Sequence, residues 1–133
     1  METIVPLSHA MVLYHLSCLS LFTGIVGLSY GKPVLGTGVL IGSVLAQNYW
    51  RYPTYGWRRT LDIAWVQLLI WTHLWYVWAT PVSPFYGMIQ GLGVVFYGAS
   101  WYYQNKHLDW NATLCHAMVH VCANGSLLLY YLN

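Results

Sequence analysis

The stretch LSHAMVLYHLSCLSLFTGIVGLS, from Leu7 to Ser29, contains no Asp, Glu, Lys or Arg. At about 1.5 Å per helical residue it can cross the roughly 30 Å hydrocarbon core of a bilayer, which takes about 20 apolar residues. The rest of the chain has the same character. Of 133 residues, 58% are hydrophobic and only 6% charged, whereas charge falls on about a quarter of the residues of a soluble domain. Five Lys or Arg and three Asp or Glu cannot dress a water-exposed surface. Mean hydropathy is +0.49. The composition predicts an integral membrane protein and excludes a soluble enzyme, a disordered chain and a nucleic-acid binder with a basic face.

Cutting the chain where charge, Pro and Gly interrupt it gives five segments: residues 7–29, 33–50, 60–80, 83–103 and 109–132. The predicted fold is therefore all-α, a single domain over residues 1–133 built as a bundle of five transmembrane helices joined by short turns. Arg51, Arg58 and Arg59 crowd the connection between the second and third segments, and an excess of basic residues marks the inner side of a membrane. Alternation then puts the N-terminus inside and the C-terminus outside, with Lys106 inside and Lys32 outside. Glu2, with no Lys or Arg before the first apolar run, is the reverse of a signal-peptide start. The three cysteines, Cys18, Cys115 and Cys122, sit in apolar stretches and read as small hydrophobes. Asn111 and Asn124 each open an Asn-X-Ser/Thr match, but one faces inside and the other lies within a span, so neither reads as a glycan site.

Small residues point to close helix contact. Ser17, Ser20, Gly24 and Gly27 form a stripe on the first segment, and Gly38 with Gly42 repeats the spacing on the second, which predicts a tight hairpin. Trp65, Trp71, Trp75 and Trp78 read as lipid-facing or packing bulk.

Ionisable groups inside a span are costly enough to be site candidates. His116 and His120 share a helix face with Asp109, Thr113 and Asn124, and Asp62 shares one with His73. Counted along the helices from the inner edge, Asp62 and Gln47 lie at roughly 5 Å, and His15, Ser43 and His116 at roughly 10 Å. His120 follows near 16 Å and His73 near 20 Å. Three readings of the His116–His120 pair stay open. Neutral imidazoles can hydrogen-bond across helices to Ser43, Gln47 or a backbone carbonyl; they can ligate a metal such as zinc; or they can serve as axial ligands of a haem or chlorin. His9 and His107 read as solvated interfacial residues. Asp62, opening the third helix, complements its dipole and pairs with Arg58 or Arg59.

Ser43 near the inner end of one span, Asp62 opening the next, and His116-Ala117-Met118-Val119-His120 on the last resemble the pattern of the alkaline ceramidase and progestin/adiponectin receptor superfamily of intramembrane zinc proteins. The resemblance implies His116 and His120 as zinc ligands assisted by Asp62 and Ser43, and a hydrolase of lipid amides. Gln47 stands where the family has its third His, and His15 is the candidate substitute at similar depth.

With connections this short, a partner must be membrane lipid, another membrane protein or something at the two interfaces. The expectation is a structural or accessory subunit of a larger membrane assembly, with Arg51, Arg58 and Arg59 at anionic lipid headgroups; the alternative is a zinc-dependent intramembrane hydrolase of a lipid amide or ester, with Asp62 and Ser43 catalytic.

Overall fold

The computed structural model describes residues 3–133; Glu2 lies outside them. Among the described residues it contains five helices and no strand: α1 (Leu7–Ser29), α2 (Pro33–Trp50), α3 (Trp57–Val77), α4 (Ser83–Asn105) and α5 (Asp109–Tyr131). The helices match the five segments with one displacement that matters below. The third begins at Trp57 and not at Thr60, so Arg58 and Arg59 belong to its first turn and not to a loop.

Local chemistry sets the ends. Pro33 opens α2, where its missing N–H is an orphan in any case. Gly31 follows α1 at φ 70°, with Gly31 N–H donating to Leu28 O and Lys32 N–H to Gly27 O at 3.1 and 2.9 Å. This pair of bonds is the Schellman closure, which needs a left-handed residue just past the helix. α4 ends the same way, with His107 at φ 56° and bonds from His107 to Gln104 O and from Leu108 to Tyr103 O.

Helix adjacency runs α3, α2, α1, α5, α4. α1 is central, and α3 and α4, though consecutive in the chain, have no extended interface. The α1–α2 contact is a backbone approach: a Cβ on Gly36 would lie 2.7 Å from Leu28 N and 2.8 Å from Gly24 O, and one on Gly27 would lie 3.1 Å from Gly36 Cα. The tight hairpin forms, but through Gly36 and not through the predicted Gly38 and Gly42. Those two face α3, where a Cβ would meet Leu69 at 2.8 and 3.0 Å, and Gly38 O accepts from Trp65 Nε1 at 2.9 Å. A four-residue spacing of small residues does not by itself say which neighbour it serves.

Two apolar clusters close the ends. Leu35, Val39, Val77, Tyr86, Leu127, Tyr130 and Tyr131 gather where α2 begins and α5 stops. Ala10, Leu13, Ala46, Tyr49 and Trp50 gather where α2 stops, beside a backbone bond from Ile4 N to Pro53 O of 2.8 Å. α1 and α5 are long and apolar enough to cross a membrane, and only 28% and 33% of their apolar windows are buried within the fold. Core helices of soluble proteins hide far more of such a surface. The other three helices fall short of that criterion; Gly and polar residues dilute α2, charged and polar residues with Trp dilute α3, and Gly, Trp and Tyr dilute α4.

Gly36→Ala should destabilise the protein by about 1–3 kcal/mol, since its methyl meets backbone that cannot yield. Gly91→Ala, whose Cβ meets nothing within 4 Å, should gain about 0.5–1 kcal/mol from helix propensity. Denaturant unfolding in detergent micelles measures both.

Candidate functional site

α5 brings the polar stripe together as its period requires. Asp109 sits in the first turn, where a carboxylate complements the helix dipole. Thr113, one turn on, is buried, with Oγ1 3.2 Å from His9 Nδ1. His9 is thus a buried residue and not a solvated one, and its ring stacks on Trp110 with centroids 4.0 Å apart. His107, by contrast, is exposed as expected.

His116 and His120 lie with ring centroids 5.5 Å apart. Trp50 of α2 meets His116 edge-on at 5.0 Å, and Tyr97 of α4 lies at 6.1 Å. Neither imidazole has a hydrogen-bond partner among the described residues. The predicted bonds to Ser43 and Gln47 are absent because those groups satisfy each other: Ser43 Oγ donates to Ser17 O at 2.6 Å and receives Gln47 Nε2 at 3.0 Å. His120 Nε2 and Asn124 Oδ1 are both buried without a partner. The Asn124 amide nitrogen turns back to His120 O at 2.8 Å, which fixes its oxygen on the other side.

Asp62 is buried with Oδ1 unpartnered. Because α3 starts at Trp57, Asp62 stands in the second turn and not at the opening, so the dipole no longer accounts for it. His73, three turns along, is fully engaged. Its Nδ1 lies 2.8 Å from Leu69 O; a carbonyl only accepts, so Nδ1 carries the proton and Nε2 of the neutral ring accepts from Tyr131 O–H at 2.9 Å. Asp62 and His73 therefore share a helix face without sharing a site.

His15 is on an exposed face of α1, opposite buried Ser17, and its one ring contact is with Tyr14 at 5.5 Å. It does not approach the His116–His120 pair as a third ligand. Among the described residues no three His, Cys, Asp or Glu side chains gather so as to hold a metal ion. The donor set for zinc, which takes three protein ligands even in open sites, does not fit here. A haem or chlorin bound between facing helices would need a His on each, and His116 and His120 share α5.

The arginines divide. Arg58 donates to Asn48 O and Tyr52 O, each at 3.4 Å, and Asn48 O is among the last carbonyls of α2, which no helical N–H reaches. Arg58 is a cap for the preceding helix. Arg59 lies over the Tyr55 ring at 5.4 Å and its guanidinium bonds the Tyr49 hydroxyl, whereas Arg51 is exposed.

Protein-family models, curated proteins and solved structures give no match to this chain. The His73–Tyr131 bond was not foreseeable from spacing, since it joins residues 58 apart in the sequence. Asn124 was legible as a stripe member, but its stranded oxygen depends on how the amide is turned.

Tyr131→Phe, which keeps the ring and removes only the donor to His73, should cost about 1 kcal/mol in the same unfolding assay, between an average interhelical bond in a membrane and a stranded buried acceptor. Elemental analysis of purified protein should find zinc well below one per chain, unchanged by a His116→Ala, His120→Ala double substitution.

Proposed function

We propose that this chain is a multi-pass membrane protein whose five helices all cross the bilayer as one domain, serving as a structural or accessory subunit of a larger membrane assembly. The observation that carries this is His15. It projects from the exposed face of the helix best suited to span a membrane, with no hydrogen-bond partner among the described residues. An ionisable side chain facing lipid is costly, and such residues almost always face protein or a water-filled cavity. A neighbouring protein helix supplies what lipid cannot.

The outer face of α3 supports the same reading. Trp71, Trp75 and Trp78 are 68%, 83% and 81% exposed, a surface suited to acyl chains and interfaces. Four of the five basic residues, Arg51, Arg58, Arg59 and Lys106, cluster at the end where α2 and α4 stop, which favours that end and the N-terminus inside. The ceramidase-like hydrolase draws on the His116–His120 pair and the unpartnered Asp62 oxygen, and it lacks the third ligand; it is the lesser reading.

Extracted from its native membrane in mild detergent, the protein should migrate as an assembly well above its 15.2 kDa, and His15→Leu should release it. Migration as a monomer, with His15→Leu making that monomer more stable, would overturn the proposal.

A further inference from the structure

The two faces of α1 are built differently. Inward, Ser17, Gly24 and Gly27 are buried against α2 and α5, the small residues of a close backbone approach. Outward, Met11, His15, Cys18, Phe22, Ile25 and Ser29 follow one another at spacings of four, three, four, three and four residues. All are exposed except Cys18, which is half-buried, and Phe22 and Ile25 are more than half exposed. Alternate steps of four and three average 3.5 residues per turn. That period keeps one seam turned toward a parallel partner helix as the two wind left-handedly around each other. The seam runs from Met11 to the last residue of α1, and no helix of the fold covers it.

His15 takes a core position of this seam, with no hydrogen-bond partner among the described residues. A neutral imidazole carries one donor and one acceptor, so two such rings bond to each other, N–H to N. A parallel two-fold pair brings them together without further requirement: near the axis of an isologous contact a residue meets its own copy, and a second chain in the same orientation holds its His15 at the same depth. The remaining seam positions then meet apolar or small copies of themselves. No like charges are opposed, because α1 and α2 hold no Asp, Glu, Lys or Arg and α5 holds only Asp109. One polar side chain at a core position of an apolar seam is also a device by which paired helices fix their register and number. We propose that a second copy of this chain lies parallel along α1, with the two His15 imidazoles hydrogen-bonded to each other across the two-fold axis. This rests on the subunit reading of His15 given above and names the partner.

The full-length protein, purified alone in mild detergent, should show two copies per particle by native mass spectrometry. His15→Leu should weaken dimerisation about tenfold, the equivalent of about 1.4 kcal/mol and the size of an interhelical hydrogen bond between model peptides in a membrane. His15→Asn, whose amide also both donates and accepts, should keep the dimer. A second measurement leaves His15 intact: with the three cysteines replaced by Ala, Phe22→Cys or Ile25→Cys should give a disulfide-linked dimer on mild oxidation in vesicles. Val94→Cys, on the exposed face of α4, should not. Equal dimerisation of the wild-type protein and His15→Leu, or cross-linking at position 94 and not at 22 or 25, overturns the proposal. A purified monomer that nevertheless migrates in a large assembly when extracted from its native membrane overturns the pairing alone and puts a different protein beside His15. A monomer in both settings overturns the pairing and the subunit reading together.

Discussion

Gly27 is the point at which three helices meet. A Cβ there would sit 3.1 Å from Gly36 Cα on α2 and 2.9 Å from the Tyr131 ring on α5, so one missing methyl seats both neighbours of the central helix. The consequences propagate. With α2 drawn in, Ser43 Oγ reaches Ser17 O of α1 at 2.6 Å, a bond between helices that a side chain of any size at Gly36 would prise apart. With Tyr131 seated against α1, its hydroxyl is held where His73 of α3 accepts it. Helix association in an apolar medium rests on close packing and interhelical hydrogen bonds more than on solvent exclusion, and here the first licenses the second.

The helices at the periphery are held differently. α4 has glycines at 87, 91 and 98 whose Cβ would meet open space, so they do not mediate contact. Its Gly93 does pack on α5, where a Cβ would sit 3.3 Å from Cys122 Cβ, and polar bonds join the same two helices: Gln90 Nε2 to Ser126 Oγ at 2.7 Å and Ser100 Oγ to Ala112 O at 2.9 Å. α3 leans on α2 through Trp65 and reaches α5 through the His73–Tyr131 bond and the apolar cluster that Val77 joins. Two apolar clusters cap the interior, one at each end, and the histidines of α5 fall between them. That is why the unmet hydrogen bond of His120 Nε2 matters: a buried polar atom without a partner is costly.

How much of this was legible depends on whether a feature is periodic or relational. The helices follow from apolar runs punctuated by Pro, Gly and charge, and the positions matched within a few residues. The stripe of Thr113, His116, His120 and Asn124 follows from the helical period alone. Facing is another matter. Gly38 and Gly42 have the spacing of a contact surface, yet which helix they contact depends on rotation about the axis, and the rotation is set by Gly36 and Ser43. His15 lies at the right depth to join His116 and on the wrong side of its helix to do so. The three-residue error at the start of α3 moved Arg58 from a loop to a capping role and Asp62 off the helix opening, showing that a boundary error is also an error of chemical assignment.

His15 and the Asn124 oxygen pose the same physical problem with opposite geometry. Each is a polar group in apolar surroundings with no partner in its own chain, but one faces outward from α1 and the other inward from α5. Outward, the surface around His15 is convex and apolar, with Met11 and Leu19 one turn either side and both exposed, and a helix from a neighbouring protein can lie along it. Inward, Asn124 is only 2% exposed and its amide nitrogen is committed to His120 O, so its oxygen presents no surface along which a helix from another chain can lie. A neighbouring chain can therefore meet the requirement of His15 and leaves that of Asn124 unchanged.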